Sequence, residues 1–238
     1  MKSNNDPKAS LLTVVITGAK TGIGLELVRH AVAKGFRVYA GVRDVAGAKE
    51  LLEVLGSSGE ALELDVTSDS SVAAFADQLR TRTKSVDVLI NNAGIYVDGE
   101  MSLESITTQA LVDSFNANSA GPLRVTQSLL PFLRAAPAAK LAVVSSVMGS
   151  MSDNTGGGAY AYRMSKAAVN MFVRSFAADE KEIIAITLHP GWVKTKMGGS
   201  SAPLEPSRSA EGIWTVIETV TQADSGKFFN HAGRELPW

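Results

Sequence analysis

The sequence predicts an α/β fold: a single-domain, doubly wound parallel β-sheet of about seven strands flanked by helices. Three observations carry this. Short apolar runs rich in β-branched residues alternate with longer amphipathic stretches along the whole chain; a glycine-rich turn follows the first run; and no linker, repeat or low-complexity segment divides the chain. Strands apolar on both faces belong to a parallel sheet covered by helices on each side. Right-handed crossovers wind such a sheet doubly and place ligands at the carboxyl ends of the strands. With 238 residues, 45% of them hydrophobic, the chain can bury one sizeable core. A flexible tail is expected over residues 1–10 and one domain over 11–238.

The elements follow in order. LLTVVIT (11–17) reads as a buried strand ended by a glycine. GIGLELVRHAVAK (22–34) spaces Leu25, Val28 and Val32 as a helix does, and Gly35 is suited to end it. RVYAG (37–41), ALELD (61–65), VDVLI (86–90), KLAVVSS (140–146) and IIAITL (183–188) repeat the strand pattern, and GKFF (226–229) offers a last strand. Helical patterns fill the intervals at about 45–55, 69–83, 105–133, 159–178 and 208–222.

Composition excludes several classes of function. A net charge of −1 leaves no excess of cations for nucleic-acid phosphates, so no nucleic-acid partner is expected. With no cysteine there is no disulfide, thiolate nucleophile or cysteine metal site. His30, His189 and His231 lack ligand spacing, so no metal site is expected. MKSNNDPKAS lacks the apolar core of a secretion signal, and LAVVSSVMGSM is far shorter than the ~20 residues that cross a bilayer. A soluble, cytoplasmic protein without a membrane partner is expected.

The first strand runs into TGAKTGIG (17–24) and then a helix. Glycines there allow a tight turn and let backbone N–H groups approach a pyrophosphate at the positive end of the helix. The strand-turn-helix context makes this a nucleotide-binding signal. After the second strand the chain reads Gly41-Val42-Arg43-Asp44, with no acid at the strand end. Arg43 offers a planar fork to a 2′-phosphate and Lys20 a point charge, which favours NADP (NADPH) over NAD.

In GGGAYAYRMSKAAVN (156–170), a helix places Lys166 one turn beyond Tyr162 on the same face, while Tyr160 has Met164 there. A cation beside the phenol is expected to lower its pKa from ~10 and suit it to proton exchange with a carbonyl or alcohol.

The spacing T-G-x-x-x-G-x-G, with NNAG (91–94), Tyr162-x-x-x-Lys166 and PGWVKT (190–195) in that order, resembles the short-chain dehydrogenase/reductase superfamily from about residue 11 to the C-terminus. NTGGG (154–158) and HPGWVKTKMGG (189–199) resemble its sniffer-type and C-factor-like carbonyl reductases. The resemblance implies a Rossmann-like NAD(P)-binding domain. In it Gly18, Lys20, Thr21, Gly22, Ile23 and Gly24 form the glycine turn, and Asp65 and Val66 hold the adenine. Asn92, Ala93 and Gly94 lie beside the adenosine ribose, and Pro190, Gly191, Val193 and Thr195 attend the nicotinamide, with Thr195 on its carboxamide. Tyr162 is then the proton donor, and Lys166 its helper and a ligand of the nicotinamide ribose. Ser146 binds the substrate oxygen, with Ser145 and Ser150 as rivals. Asn118, chosen over Asn116 by its N-x-x-G spacing, bends its helix and holds a water that links the lysine to solvent.

The implied activity is NADPH-dependent reduction of a small carbonyl compound, with homodimers or homotetramers formed through the long helices. An NAD-linked alcohol dehydrogenase and a nucleotide-binding regulator without turnover are the alternatives. Tyr96, Met148, Tyr160, Trp192 and Met197 are expected around an apolar substrate mouth, under a lid from Lys194 to Pro206 whose glycines and serines can close over a ligand.

Overall fold

The computed structural model describes residues 11–99 and 101–238; the expected tail at 1–10 lies outside the described residues. Seven strands form one parallel sheet in the order β3-β2-β1-β4-β5-β6-β7. They are β1 (Thr13–Thr17), β2 (Arg37–Val42), β3 (Gly59–Glu63), β4 (Val88–Asn91), β5 (Lys140–Val144), β6 (Ile184–His189) and β7 (Phe228–Asn230). The strand order reverses at β1 and β4, and the crevice outside their carboxyl ends is where such sheets bind ligands.

The helices cover both faces: α1 (Gly22–Ala33), α2 (Lys49–Leu55), α3 (Asp69–Arg80), α4 (Thr108–Phe115), α5 (Gly121–Arg134), α6 (Tyr160–Asp179) and α7 (Pro206–Thr219). α1 stops where foreseen: Gly35 takes φ 78, and Phe36 N–H returns to Ala31 O at 3.0 Å. α2 begins four residues later than its pattern suggested. Asp44 accepts from Gly47 N–H at 2.9 Å, and that side-chain turn uses the residues that would have been the first turn.

The predicted long helix at 105–133 is two helices joined by one π-turn, Asn116–Ala120. The backbone stays helical through that turn, with Phe115, Asn116, Ala120 and Gly121 near α-helical torsions, so the two helices run on without an intervening loop.

Two apolar cores result. One face of the sheet packs Val14, Ile16, Val38 and Ile186 against Leu27, Leu51 and Ile213; the other packs Val15, Leu89, Leu141 and Val143 against Phe75, Leu129 and Val173. Among the described residues no helix is long and apolar enough to cross a membrane. Trp214 of α7 fills the first core, and its indole N–H donates to Leu27 O at 3.0 Å. Trp214→Ala should lower unfolding stability by about 3–5 kcal/mol, measured by chemical denaturation, because the cavity lies between a helix and a rigid sheet.

Candidate active site

Three loops meet at the carboxyl ends of β1, β4 and β6. Thr17 Oγ1 accepts from the N–H groups of Asn92 and Ala93 at 3.0 and 3.1 Å, and Asn92 Nδ2 donates back to Thr17 O and Gly18 O. A Cβ on Gly24 would stand 2.2 Å from Gly18 O and 2.7 Å from Asn92 Nδ2, so only glycine lets α1 start this close to the turn. A Cβ on Gly22, at φ 58, would reach Thr195 Cγ2 at 3.2 Å, which puts the segment after β6 beside the glycine turn. Thr21 caps α1 without its side chain, so the first N–H groups of the helix are left for another acceptor. This cradle, closed to any side chain and lined by backbone donors, fits a dinucleotide pyrophosphate.

At the far end of that crevice Lys20 Nζ binds Asp44 Oδ2 at 2.8 Å. Asp44 is thereby occupied by Lys20 and Gly47, and it is held below the usual carboxylate range by them. Arg43 is exposed, and its charge reaches Asp65, whose carboxylate accepts from Thr67 N–H and Oγ1. Val66 O accepts from Arg124, and its side chain packs against Gly121. After β6, Pro190 O accepts from Ser209 Oγ, Gly191 takes φ 89 against Leu204 and His231, and Val193 is buried and bridged to Leu204.

The second cluster lies where α6 crosses the end of β5. Gly149 presses on α6 so closely that a Cβ would sit 2.7 Å from the Lys166 carbonyl carbon. Asn170 Nδ2 holds Gly149 O at 3.2 Å, and Ser145 Oγ donates to Lys166 O at 3.4 Å. These contacts turn Ser145 toward the helix. Ser150 accepts from Asp153 N–H, whereas Ser146 is the serine whose hydroxyl lies near enough to the Tyr162 phenol to favour its ionised form. Lys166 is 4% exposed; its Nζ donates to Val144 O at 3.0 Å and lies 5.6 Å from the centre of the Tyr162 ring. Asn118, in the π-turn, holds both polar groups of Ile95: Oδ1 accepts from its N–H at 2.8 Å and Nδ2 donates to its carbonyl at 2.9 Å. A Cβ on Gly94 would be 3.0 Å from Asn118 Oδ1 and 3.5 Å from Lys166 Nζ, so Ser146, Tyr162, Lys166, Asn118 and Gly94 share one place.

The ionisation of this group departs from expectation. Burial pushes the Tyr162 phenol up to about 12, against the opposing hydrogen bond with Ser146, with Tyr96 and Asp98 adding to the rise. Burial also brings Lys166 down to about 8. The desolvation of both groups outweighs the charge one turn away.

The expected substrate residues separate. Tyr96 tilts against Tyr162 with ring centres 4.8 Å apart, and Met148 N–H donates to Ser146 Oγ. Tyr160 opens α6, partly buried. Trp192 and Met197 stand largely exposed on the loop after β6, where Trp192 Nε1 donates to Gly198 O. His189 and His231 are neighbours rather than scattered: His231 N–H donates to His189 O. Burial brings His189 down to about 4, and no group of three metal-ligating side chains gathers among the described residues.

Ser165 and Asp98 escaped the sequence reading. Ser165 Oγ accepts from Asn118 Nδ2 and donates to Tyr162 O, tying the π-turn to the tyrosine; its place beside Lys166 was the available signal.

A doubly wound sheet with a glycine cradle at its switch point and a buried phenol–amine pair beside it defines a Rossmann-like oxidoreductase. The short chain dehydrogenase family model matches residues 12–205, and the chain belongs to that family. It is 47% identical over 159 residues to the C-signal of Myxococcus xanthus, covering 66% of this chain and 95% of that protein. An NADPH-bound carbonyl reductase from chicken fatty liver superposes with a TM-score of 0.90 at 32% identity, over 96% of this chain and 99% of that one. The carbonyl reductase Sniffer of D. melanogaster superposes at 0.88 with 32% identity, over 96% and 100%. These likenesses place the chain in the sniffer and C-factor-like branch of the family.

Burying Lys166 has a consequence for stability. Below about pH 8 both folded and unfolded chains hold its proton, and the folded state bears the full cost of an enclosed ammonium, about 3 kcal/mol. As pH rises from about 8 towards 10.5 the folded chain sheds the proton first and the cost fades. Lys166→Met should therefore raise the melting temperature near neutral pH, with a gain that shrinks above about pH 8, measured by thermal unfolding across that range.

Proposed function

We propose that this chain is an NADPH-dependent carbonyl reductase acting on small, mainly apolar ketones, aldehydes or quinones, with Tyr162 as proton donor. The observation that carries the reading is the buried phenol with Lys166 beneath its ring, close to Ser146 and beside the crevice of the glycine cradle. A nicotinamide dinucleotide bound along that crevice supplies a hydride. Gly18, Gly22, Gly24, Asn92, Ala93, Gly94, Pro190, Gly191, Val193 and Thr195 are the residues that would hold it.

The chain's own residues orient the substrate and move the proton. Ser146 and Tyr162 converge on a carbonyl oxygen and stabilise the charge that develops there. Tyr162 is protonated at neutral pH and so is ready to give its proton to that oxygen. Lys166, brought down to about 8, exchanges a proton near neutral pH and is suited to restoring the phenol. Asn118 keeps Ile95 and Gly94 in place beside it.

Arg43, free to point at a 2′-phosphate while Asp44 is tied to Lys20, supports NADPH over NADH. The NADPH in the chicken carbonyl reductase supports the same choice. Exposed Val112 and Phe115 of α4 and Met164 and Met171 of α6 support a homodimer or homotetramer. Similarity to the C-signal favours a second reading, a nucleotide-binding signalling protein without significant turnover. NADPH and NADH consumption over a panel of aldehydes, ketones and quinones separates the two, since tight nucleotide binding with no consumption anywhere would select the second.

Tyr162→Phe should lower kcat by about 10²- to 10⁴-fold while cofactor affinity, read by fluorescence, stays near its original value. Tyr160→Phe should keep most of the activity. Arg43→Ala should weaken NADPH by about 10- to 100-fold and NADH hardly at all in the same titration.

A further inference from the structure

α6 begins without a cap of its own. The residues before it, Gly157, Gly158 and Ala159, all take positive φ, and Ala159 is the one non-glycine residue to do so among the described residues. Ala159 occupies the N-cap position and has no side-chain acceptor for the free N–H groups of the first turn. Tyr162 lies in that turn.

The acceptor comes from the loop after β4. Asp98 Oδ2 accepts from Ala161 N–H at 2.7 Å and from Tyr162 N–H at 3.4 Å, across 63 and 64 residues of chain. Asp98 is 1% exposed, although Val97 beside it is 41% exposed and Gly99 is also exposed, so the loop turns this one carboxylate inward. Its other oxygen, Oδ1, is buried without a hydrogen-bond partner. Burying a carboxylate with one oxygen unsatisfied costs stability, so solvation does not account for its position. The positive end of α6 does favour an anion there. The same loop also grips the tyrosine from the side, since Tyr96 packs on the Tyr162 ring and Asn118 fixes Ile95.

We propose that Asp98 is a positioning residue for the Tyr162 phenol: it supplies the N-cap that Ala159 cannot, and so fixes the first turn of α6 from which the phenol projects. The proposal rests on the carbonyl reductase reading for its kinetic consequences, whereas the cap itself does not. Tyr162 is faced by Ser146 from the end of β5, by Tyr96 and Asp98 from the loop after β4, and by Lys166 one turn along α6. Asp98 is the anion among them, and an anion nearby opposes formation of a phenolate.

The test uses the full chain and has two readouts. Hydrogen exchange at the Ala161 and Tyr162 amides reads the cap without any turnover, with Val169, deep in α6, as the internal reference. Carbonyl reduction by the unaltered protein is measured first, so absent turnover counts against the enzyme reading and leaves the exchange readout and a spectroscopic titration of the phenol to decide on Asp98.

Asp98→Ala should speed exchange at the two amides by about tenfold with Val169 unchanged. It should also lower kcat by about 10- to 100-fold, with the NADPH Kd within about twofold of its original value. Asp98→Asn keeps an oxygen at the cap and removes the charge. It should restore most of the protection and most of kcat, and it should shift the alkaline limb of kcat, or the phenol titration, to lower pH. Unchanged exchange in Asp98→Ala would overturn the proposal, as would an Asn variant as impaired as Ala with an unshifted limb. Faster exchange at Val169 or a parallel loss of NADPH affinity would mark a merely structural residue and overturn it equally.

Discussion

The close contact between α6 and the end of β5 is the constraint on which the rest of the site depends. Gly149 has no side chain at the point where one would collide with the Lys166 backbone, and that absence lets the loop after β5 lie flat on the helix. Ser146 is then brought near the Tyr162 phenol, and Lys166 Nζ meets Val144 O. Both contacts are made between α6 and the end of β5, not within either element. A separation larger by an ångström would leave the buried Lys166 amine without Val144 O, at a cost of a few kcal/mol.

A second fastening joins that contact to the nucleotide side of the crevice. Asn118 sits in the π-turn between α4 and α5 and binds the backbone of Ile95 on one side and Ser165 on the other. Thr17 and Asn92 lock the glycine turn to the loop after β4. Through these few side chains the ends of β1, β4 and β5 and the first turns of α6 form one rigid frame, which is what reaction geometry demands of a site built from loops.

The frame works by burying polar groups, and the energetics carry that mark. An enclosed lysine brought down to about 8 is less comfortable in the folded chain than in water, whereas the phenol pushed up to about 12 stays neutral and its shift costs nothing below about pH 10. The two cores of β-branched and aromatic residues on either face of the sheet supply the surplus stability that tolerates the enclosed lysine. Destabilised polar groups held in place by a well-packed scaffold are a common sign of a site selected for chemistry rather than for stability.

Much of this was legible in the sequence. Apolar runs in alternation with amphipathic ones determine seven strands and their helices, because burial on two faces and burial on one leave different periodicities. The glycine spacing determines the cradle, since only glycine tolerates those close approaches, and the four-residue interval from Tyr162 to Lys166 determines that they share a face. The tertiary structure alone decided the rest. The form of the break at Asn116–Ala120, a π-turn rather than a simple bend at Asn118, is one such feature. What each serine meets is set by the packing: Ser145 turns to Lys166 O and Ser150 to Asp153 N–H. The ionisation of Tyr162 and Lys166 turned on desolvation, and Asp98 on a contact across 63 residues. Local sequence encodes torsion and periodicity, whereas burial and long-range hydrogen bonds belong to the packed whole.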